Sequence, residues 1–391
     1  MYGPSKIKTI ILFPALIAFV VILSMASNRL WGARPESLPG INELTIDKDM
    51  TIKDFGQVNG LANPVLKEIF GLRAKSNLQK KLDEYGTPEQ IKTLVTKKMA
   101  LAREHGSKNW IKIVVKFLLW FTFLLTVYFL FKGRSVSNGI RKTILFISVL
   151  IFGVIMGSDP SPMGTVKDAI HLYGSSGVIF PPRMIALVVF LAIVFLANKY
   201  ICAWGCQVGT LQDLVFRINR KDNLKGILVK QIKIPFVISN SIRIIFLAVF
   251  SVAAFTLGTD IVEPIDPFRI FKPAQMGIAG IIFTGIILVM SLFVYRPWCH
   301  FFCPFGLAGW MVEKISRVKI NVNYETCIAC EKCAAACPST VMAAILKRDR
   351  KTIPDCFACY TCREVCPTAS INFTSAKRTL PPAGHFDKEK T

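Results

Sequence analysis

Histidine is scarce. The 391 residues contain four, and none lies in a long apolar run. A b-type haem clamped by two histidines inside a membrane is therefore not expected. No C-x-x-C-H occurs, which excludes covalently attached c-type haem. No G-x-G-x-x-G unit is present, so a dinucleotide-binding fold is not expected. Acidic residues are few as well: 25 Asp and Glu against 48 Lys and Arg, a formal charge of +23. Residues 27–109 contain no cysteine, which rules out a disulfide framework there.

What the chain has instead is apolar length. Hydrophobic residues make up 52% of it and the mean hydropathy is +0.46. These values point to several membrane spans. Six runs qualify: Ile10–Ala26, Trp110–Phe131, Ile140–Gly157, Met184–Ala197, Phe236–Leu257 and Met276–Tyr295. The third and fourth are short against the ~20 residues a span needs. The first is long for a signal-peptide core and has no clear small-residue cleavage site, so it reads as an uncleaved anchor.

The cations crowd into short connections. Lys132, Arg134, Arg141 and Lys142 separate the second and third runs. Lys199, Arg217, Arg220, Lys221, Lys225, Lys230 and Lys233 separate the fourth and fifth. The opposite loops carry Asp159 and Asp168, then Asp260, Glu263 and Asp266. That asymmetry is the positive-inside pattern, with contact to anionic lipid headgroups, and no nucleic-acid partner is expected. It places the chain in a bacterial or archaeal cytoplasmic membrane, with both termini in the cytoplasm and residues 28–109 outside.

The outer segment has helix punctuation. Thr51 and Asp54 make a capping box ahead of Phe55. Asn59-Gly60 marks a turn. Asn63-Pro64 opens a helix through Val65, Leu66, Ile69 and Phe70, and Thr87-Pro88-Glu89-Gln90 opens another. A small helical docking or structural module is expected, with no redox role.

All twelve cysteines fall into four clusters. Cys327, Cys330, Cys333 and Cys337 precede Pro338. Cys356, Cys359, Cys362 and Cys366 precede Pro367. This doubled C-x-x-C-x-x-C-x-x-x-C-P run holds two 4Fe–4S clusters in bacterial-type ferredoxins, where each fourth cysteine ligates the other cluster. Cys327, Cys330, Cys333 and Cys366 are thus expected on one cluster. Cys356, Cys359, Cys362 and Cys337 are expected on the second. Alanines at 329, 334, 335, 336 and 358 leave room for backbone amides to reach the sulfurs.

The other two clusters are C-x-x-x-C pairs in an internal repeat. Asp159-Pro160 leads to Cys202 and Cys206; Asp266-Pro267 leads to Cys299 and Cys303. Trp204 and Trp298 accompany the pairs, and Gly209 and Gly306 follow them. The spacing predicts two thiols on one helix face in each pair. Both pairs are expected at the cytoplasmic mouth of a duplicated helix core. Three readings stay open: a third metal centre shared by the four thiols, redox-cycling dithiols, or buried structural cysteines. A quinone site is expected beside Trp204, Trp298 and His300. His300 is then either a proton carrier or an interfacial side chain.

The order of these motifs over residues ~110–375 resembles the NapH/NosR-type membrane-bound polyferredoxins. The resemblance implies four core spans, cysteine pairs at Cys202/Cys206 and Cys299/Cys303, and the eight ferredoxin ligands above. It also implies electron exchange between the quinone pool and partner redox proteins. Gln207 stands where the family has proline, and no threonine flavin-attachment motif occurs. The expected fold is an α-helical integral membrane protein of about six spans, built from duplicated two-helix units, with a C-terminal α+β dicluster ferredoxin domain. Its parts are an anchor (1–27), the outer module (28–109), the helix core (110–315), the ferredoxin domain (316–375) and a polar tail (376–391). An electron-transfer subunit of a quinol-oxidising complex is the leading reading. An assembly factor that reduces a metal for a respiratory enzyme, and a redox sensor acting through the outer module, are the alternatives.

Overall fold

The computed structural model describes residues 4–31, 44–47, 49–72, 75–133, 136–220, 226–228, 230–347 and 355–386. Arg134, Lys221 and Lys225 of the charge argument lie outside these residues.

Helix α1 (Pro4–Trp31) is an apolar rod. A small unit with its own core follows: α2 (Ile52–Val58), α3 (Asn63–Phe70) and α4 (Pro88–Gly106). Thr51 and Asp54 form the capping box, and the Asn59-Gly60 turn places Gly60 at a positive φ. Gln90 and Thr87 cap one another at the start of α4. Ile52, Phe55, Leu66, Leu82, Ile91 and Val95 close this unit's core, separately from that of the bundle.

The bundle begins with α5 (Trp110–Gly133) and α6 (Asn138–Ser148), the latter continued by a π-helical stretch, Val149–Ile155. The helix α7 (Pro162–Ser176), capped by Ser161, lies in the next loop. Then come α8 (Pro181–Ala197), α9 (Tyr200–Trp204), α10 (Gln207–Ile218) and α11 (Phe236–Thr256). They are followed by α12 (Ile278–Met290), α13 (Pro297–Phe301) and α14 (Pro304–Glu313). Among the described residues, four helices are long and apolar enough to cross a membrane: Lys6–Trp31, Trp110–Lys132, Asn138–Ile155 and Phe236–Thr256. The other two expected spans are shorter, with 17 residues in α8 and 13 in α12. The sixth run stops being helical at Met290, five residues before its apolar character ends at Tyr295.

The repeat is visible as α8–α9–α10 against α12–α13–α14. Here the structure corrects one expectation. The members of a cysteine pair do not share a helix face. Cys202 lies in α9 and Cys206 is the N-cap of α10; Cys299 lies in α13 and Cys303 is the N-cap of α14. The chain breaks between them because each second cysteine has extended backbone, with ψ of 122° and 114°. Gly209 and Gly306 then suit the close approach of the chain. A Cβ at either would sit 3.0 Å from the carbonyl oxygen of Cys202 or Cys299.

The C-terminal part pairs β1 (Lys319–Val322) antiparallel with β2 (Ile371–Thr374), with Val322 opposite Ile371. Between them lie α15 (Lys332–Ala336), α16 (Val341–Leu346) and α17 (Thr361–Glu364). Ile320, Met342, Ile345 and Ile371 fill this core. The following segment folds back: Arg378 donates to the Ile320 carbonyl, and the Phe386 ring lies against Tyr324.

Candidate iron–sulfur centres

Two cavities of equal size lie in the ferredoxin part. Cys337, Cys356, Cys359 and Cys362 line the first. Cys327, Cys330, Cys333 and Cys366 line the second. Each cavity thus gathers three cysteines of one motif and the fourth of the other. All twelve cysteines are unpaired thiols.

The backbone around the cavities suits sulfur-rich anions. Ala329, Glu331, Ala358 and Tyr360 have φ of 54°, 53°, 49° and 59°. These are matching positions in the two motifs. Alternation of left- and right-handed residues turns successive N–H groups into a concave nest, a geometry common at iron–sulfur sites. A left-handed residue other than glycine costs ~1–3 kcal/mol, so four at matched places mark a functional constraint. The thiols also fit. Burial pushes Cys356 and Cys362 well up; Glu313 adds to it at Cys356, and neighbouring thiols add to it at both. Burial raises Cys333 to about 11. Burial acts the same way on Cys366, but hydrogen bonds from Thr368 and Ser370 outweigh it and bring that thiol down. A cationic metal core relieves the cost of thiolates held in such a place. Among the described residues, no three His, Cys, Asp or Glu side chains close to the spacing of a single metal ion. The doubled motif with a crossing fourth cysteine suits a multi-iron cluster better than zinc.

The paired cysteines form a third group inside the bundle. Cys202, Cys206, Cys299 and Cys303 are each 6–7% exposed and share one core. They lie within electrostatic reach of one another. Cys206 and Cys303 sit at the positive ends of α10 and α14, where N–H groups of Gly209 and Gly306 point at their sulfurs. This site is deeper than the expected mouth. Trp120, near the middle of α5, donates to the Gly205 carbonyl at 2.9 Å. Gln207, in place of the family's proline, donates to the carbonyls of Ser158 and Pro160. Proline there would remove both bonds.

Buried charges brace this group in a crossed pattern. Lys199 and Arg296 each stand three residues before the first cysteine of their pair. Lys199 reaches the Gly306 carbonyl in the other repeat at 3.0 Å. Arg296 reaches the Cys202 and Ala203 carbonyls. Asp213 holds Arg296 and Arg217 at 2.8 Å each. Asp355, immediately before Cys356, accepts from Lys199 and from Arg243 at 2.9 Å. Burial would raise the Asp355 carboxyl, but those two cations outweigh it and hold it at about 2. Arg141 ties α6 to the ferredoxin part through the Cys359 carbonyl and Glu364. Trp204 Nε1 donates to the Ala358 carbonyl at 3.3 Å, which links the buried thiols to the first cavity.

The sequence reading missed Arg243, Arg296, Asp355 and Lys116, whose Nζ donates to the Gly157 and Asp159 carbonyls beside the Gln207 contacts. A signal existed for two of them. Lys116 and Arg243 are charges inside apolar runs, and such residues are functional by default. Lys199, Arg217 and Arg220 were read as headgroup-facing loop cations. They are buried instead, and Lys199 and Arg217 bond to the ferredoxin part. Trp204 and Trp298 are each 1% exposed and packed in the core. The His300 ring lies 5.0 Å from Phe357, with Nδ1 3.3 Å from the Arg296 carbonyl. None of these three lines either cysteine cavity.

Comparison with known proteins agrees with this layout. A 4Fe-4S binding domain family matches twice, at residues 179–225 and 276–323, once over each paired-cysteine repeat. A 4Fe-4S dicluster domain family matches residues 319–367. YccM of Escherichia coli K12, named for electron transport, is 32% identical over 168 residues, 40% of this chain and 46% of that protein. The methylamine utilization ferredoxin-type protein MauN of Methylobacillus flagellatus is 25% identical over 45% of this chain and 63% of its own length. The ferredoxin-type protein NapH of Haemophilus influenzae is 25% identical over 44% and 55%. The matches span less than two thirds of each of these relatives. No solved structure matches. With duplicated cysteine pairs leading into a dicluster motif, the chain is an α-helical protein carrying 4Fe-4S binding domains, and it is similar to the NapH-type ferredoxin proteins.

Proposed function

We propose that this protein passes electrons singly between the membrane quinone pool and a partner redox protein. Its ferredoxin part faces the cytoplasm and residues 28–109 face the other side. The observation that carries the reading is the continuous contact from the buried thiols through Trp204 to the cavity of Cys337, Cys356, Cys359 and Cys362. In this reading Cys327, Cys330, Cys333 and Cys366 hold one 4Fe–4S cluster, and the other four ferredoxin cysteines hold the second. Such clusters supply one-electron storage. The chain's own residues set the conditions. The alanine nests aim N–H groups at the sulfurs. Phe357 and Tyr360 keep water from the inner cavity. Asp355 fixes the docking of the ferredoxin part on the bundle.

The four paired thiols act together as a third iron–sulfur centre. Both repeats contribute two thiols, the Cys202 carbonyl is braced by Arg296 from the other repeat, Arg243 holds the carbonyl of His300 beside Cys299, and each second sulfur faces an N-terminal glycine amide. The test is iron content in anaerobically purified protein. About twelve irons per chain are expected; about eight restricts the metal to the ferredoxin motifs. Cys202→Ser or Cys299→Ser is expected to abolish reduction of the ferredoxin clusters by quinol while their EPR signal after dithionite persists. Unchanged quinol-driven reduction in both variants removes the relay role.

A further inference from the structure

A third cavity is larger than either cysteine cage and contains none of the cysteines. It lies between the small N-terminal unit and the bundle, where α4, α5, α7 and α8 meet. We infer that this cavity is the binding site for a quinone or quinol headgroup. The inference rests on the electron-transfer reading above and moves the ligand away from Trp204, Trp298 and His300.

The position fits a membrane-dissolved ring. Trp110 opens α5, and Arg363 of the ferredoxin part bonds to Phe131 near that helix's far end. The 24 residues of α5 make a rod of about 36 Å at ~1.5 Å per residue, so the cavity sits roughly one bilayer away from the ferredoxin clusters. The lining combines aromatic surface with polar groups. Trp110, Phe117 and Phe180 supply the rings. The Trp110 indole N–H is buried with no acceptor, and a buried donor without a partner costs ~1–3 kcal/mol. A quinone carbonyl supplies the acceptor. Arg183 bridges Glu104 and Asp168 in the same lining, and those carboxylates can accept from a quinol hydroxyl. The lining holds three acidic side chains, Glu104, Asp159 and Asp168, and two basic ones, Lys108 and Arg183. That balance disfavours a phosphate headgroup.

The cavity also touches the buried thiols by two routes. Pro160, in its wall, accepts from Gln207, the neighbour of Cys206. Phe117 packs 5.4 Å from Trp120, whose indole bonds to Gly205 on the other side of Cys206. A ring bound here is within short covalent and hydrogen-bonded reach of the first acceptor. The Trp298 indole N–H also lacks a partner, but the Phe283 and Phe302 rings pack around it.

The test is photolabelling of the purified full chain with an azidoquinone, in nanodiscs of defined phospholipid. Label is expected within residues 104–117 or 159–186, displaced by excess unlabelled quinone. Label confined to residues 200–204 or 298–300, or displaced by phosphatidylglycerol instead of quinone, overturns the assignment. Ala186→Trp fills the cavity and is expected to cut both labelling and quinol-driven cluster reduction at least tenfold, with the dithionite-reduced EPR signal intact. Wild-type labelling in that variant overturns the assignment. Should Ala186→Trp not fold, Trp110→Phe is expected to raise the half-saturating quinone concentration about three- to tenfold, and no change counts against the site. Labelling in the cavity without quinol-driven reduction leaves the site standing and sinks the electron-transfer reading.

Discussion

The chain holds cysteine in two regions that solve the same problem differently. In the ferredoxin part, each motif supplies three neighbouring cysteines and shapes its own backbone through left-handed residues at matched positions. Only the fourth cysteine comes from afar. In the bundle, no local stretch makes a site. Two thiols come from each repeat, short helix N-termini point at them, and charged side chains from distant segments hold the carbonyls beside them. The first arrangement depends on local backbone geometry. The second depends on buried cross-bracing, and a single lost partner there leaves a desolvated charge.

Three sets of substitutions break or sharpen this contrast. The largest effect belongs to the crossing cysteines. Cys366→Ala is expected to remove the cluster of Cys327, Cys330 and Cys333 and leave the other EPR signal, whereas Cys337→Ala does the reverse. Loss of the same signal in both variants contradicts the crossed ligation. Next is Asp355→Ala, which leaves Lys199 and Arg243 buried without their shared carboxylate. Breaking a buried pair costs about 3–5 kcal/mol. Protease sensitivity at the junction near residue 316 is expected to rise, with dithionite-reduced cluster signals preserved. A junction as protected as in the parent chain means the ferredoxin part docks by other contacts. Smallest are Gly209→Ala and Gly306→Ala, which press a methyl group against a cysteine carbonyl. A loss of about 1–3 kcal/mol is expected for each, the usual cost of overpacking. Comparable falls in Tm support equivalence of the repeats; a fall in one alone shows that they are braced unequally.

The capping boxes, helix starts and doubled ferredoxin motif were readable because each is chemistry within a few residues. The Thr51–Asp54 box and the Thr87–Gln90 cap lie where their spacing put them. The pairing of three cysteines with a distant fourth also follows from motif order, and the structure gathers those same side chains around single cavities. The paired cysteines misled because C-x-x-x-C suits a continuous helix. What overrides it is the extended backbone at Cys206 and Cys303, set by how the two repeats pack. Charge counting was diluted for a similar reason. Lys199, Arg217 and Arg220 raise the loop total, but all three are buried, and Lys199 and Arg217 bond to the ferredoxin part.

By itself the sequence determined the composition of the iron–sulfur cages and the apolar length of the chain, since both are written in contiguous residues. Only the tertiary structure decided the depth of the paired thiols, the crossed cations around Asp213 and Asp355, and the aromatic cavity beneath Trp110. Each of these is made by side chains far apart in the chain, and no local spacing records their meeting.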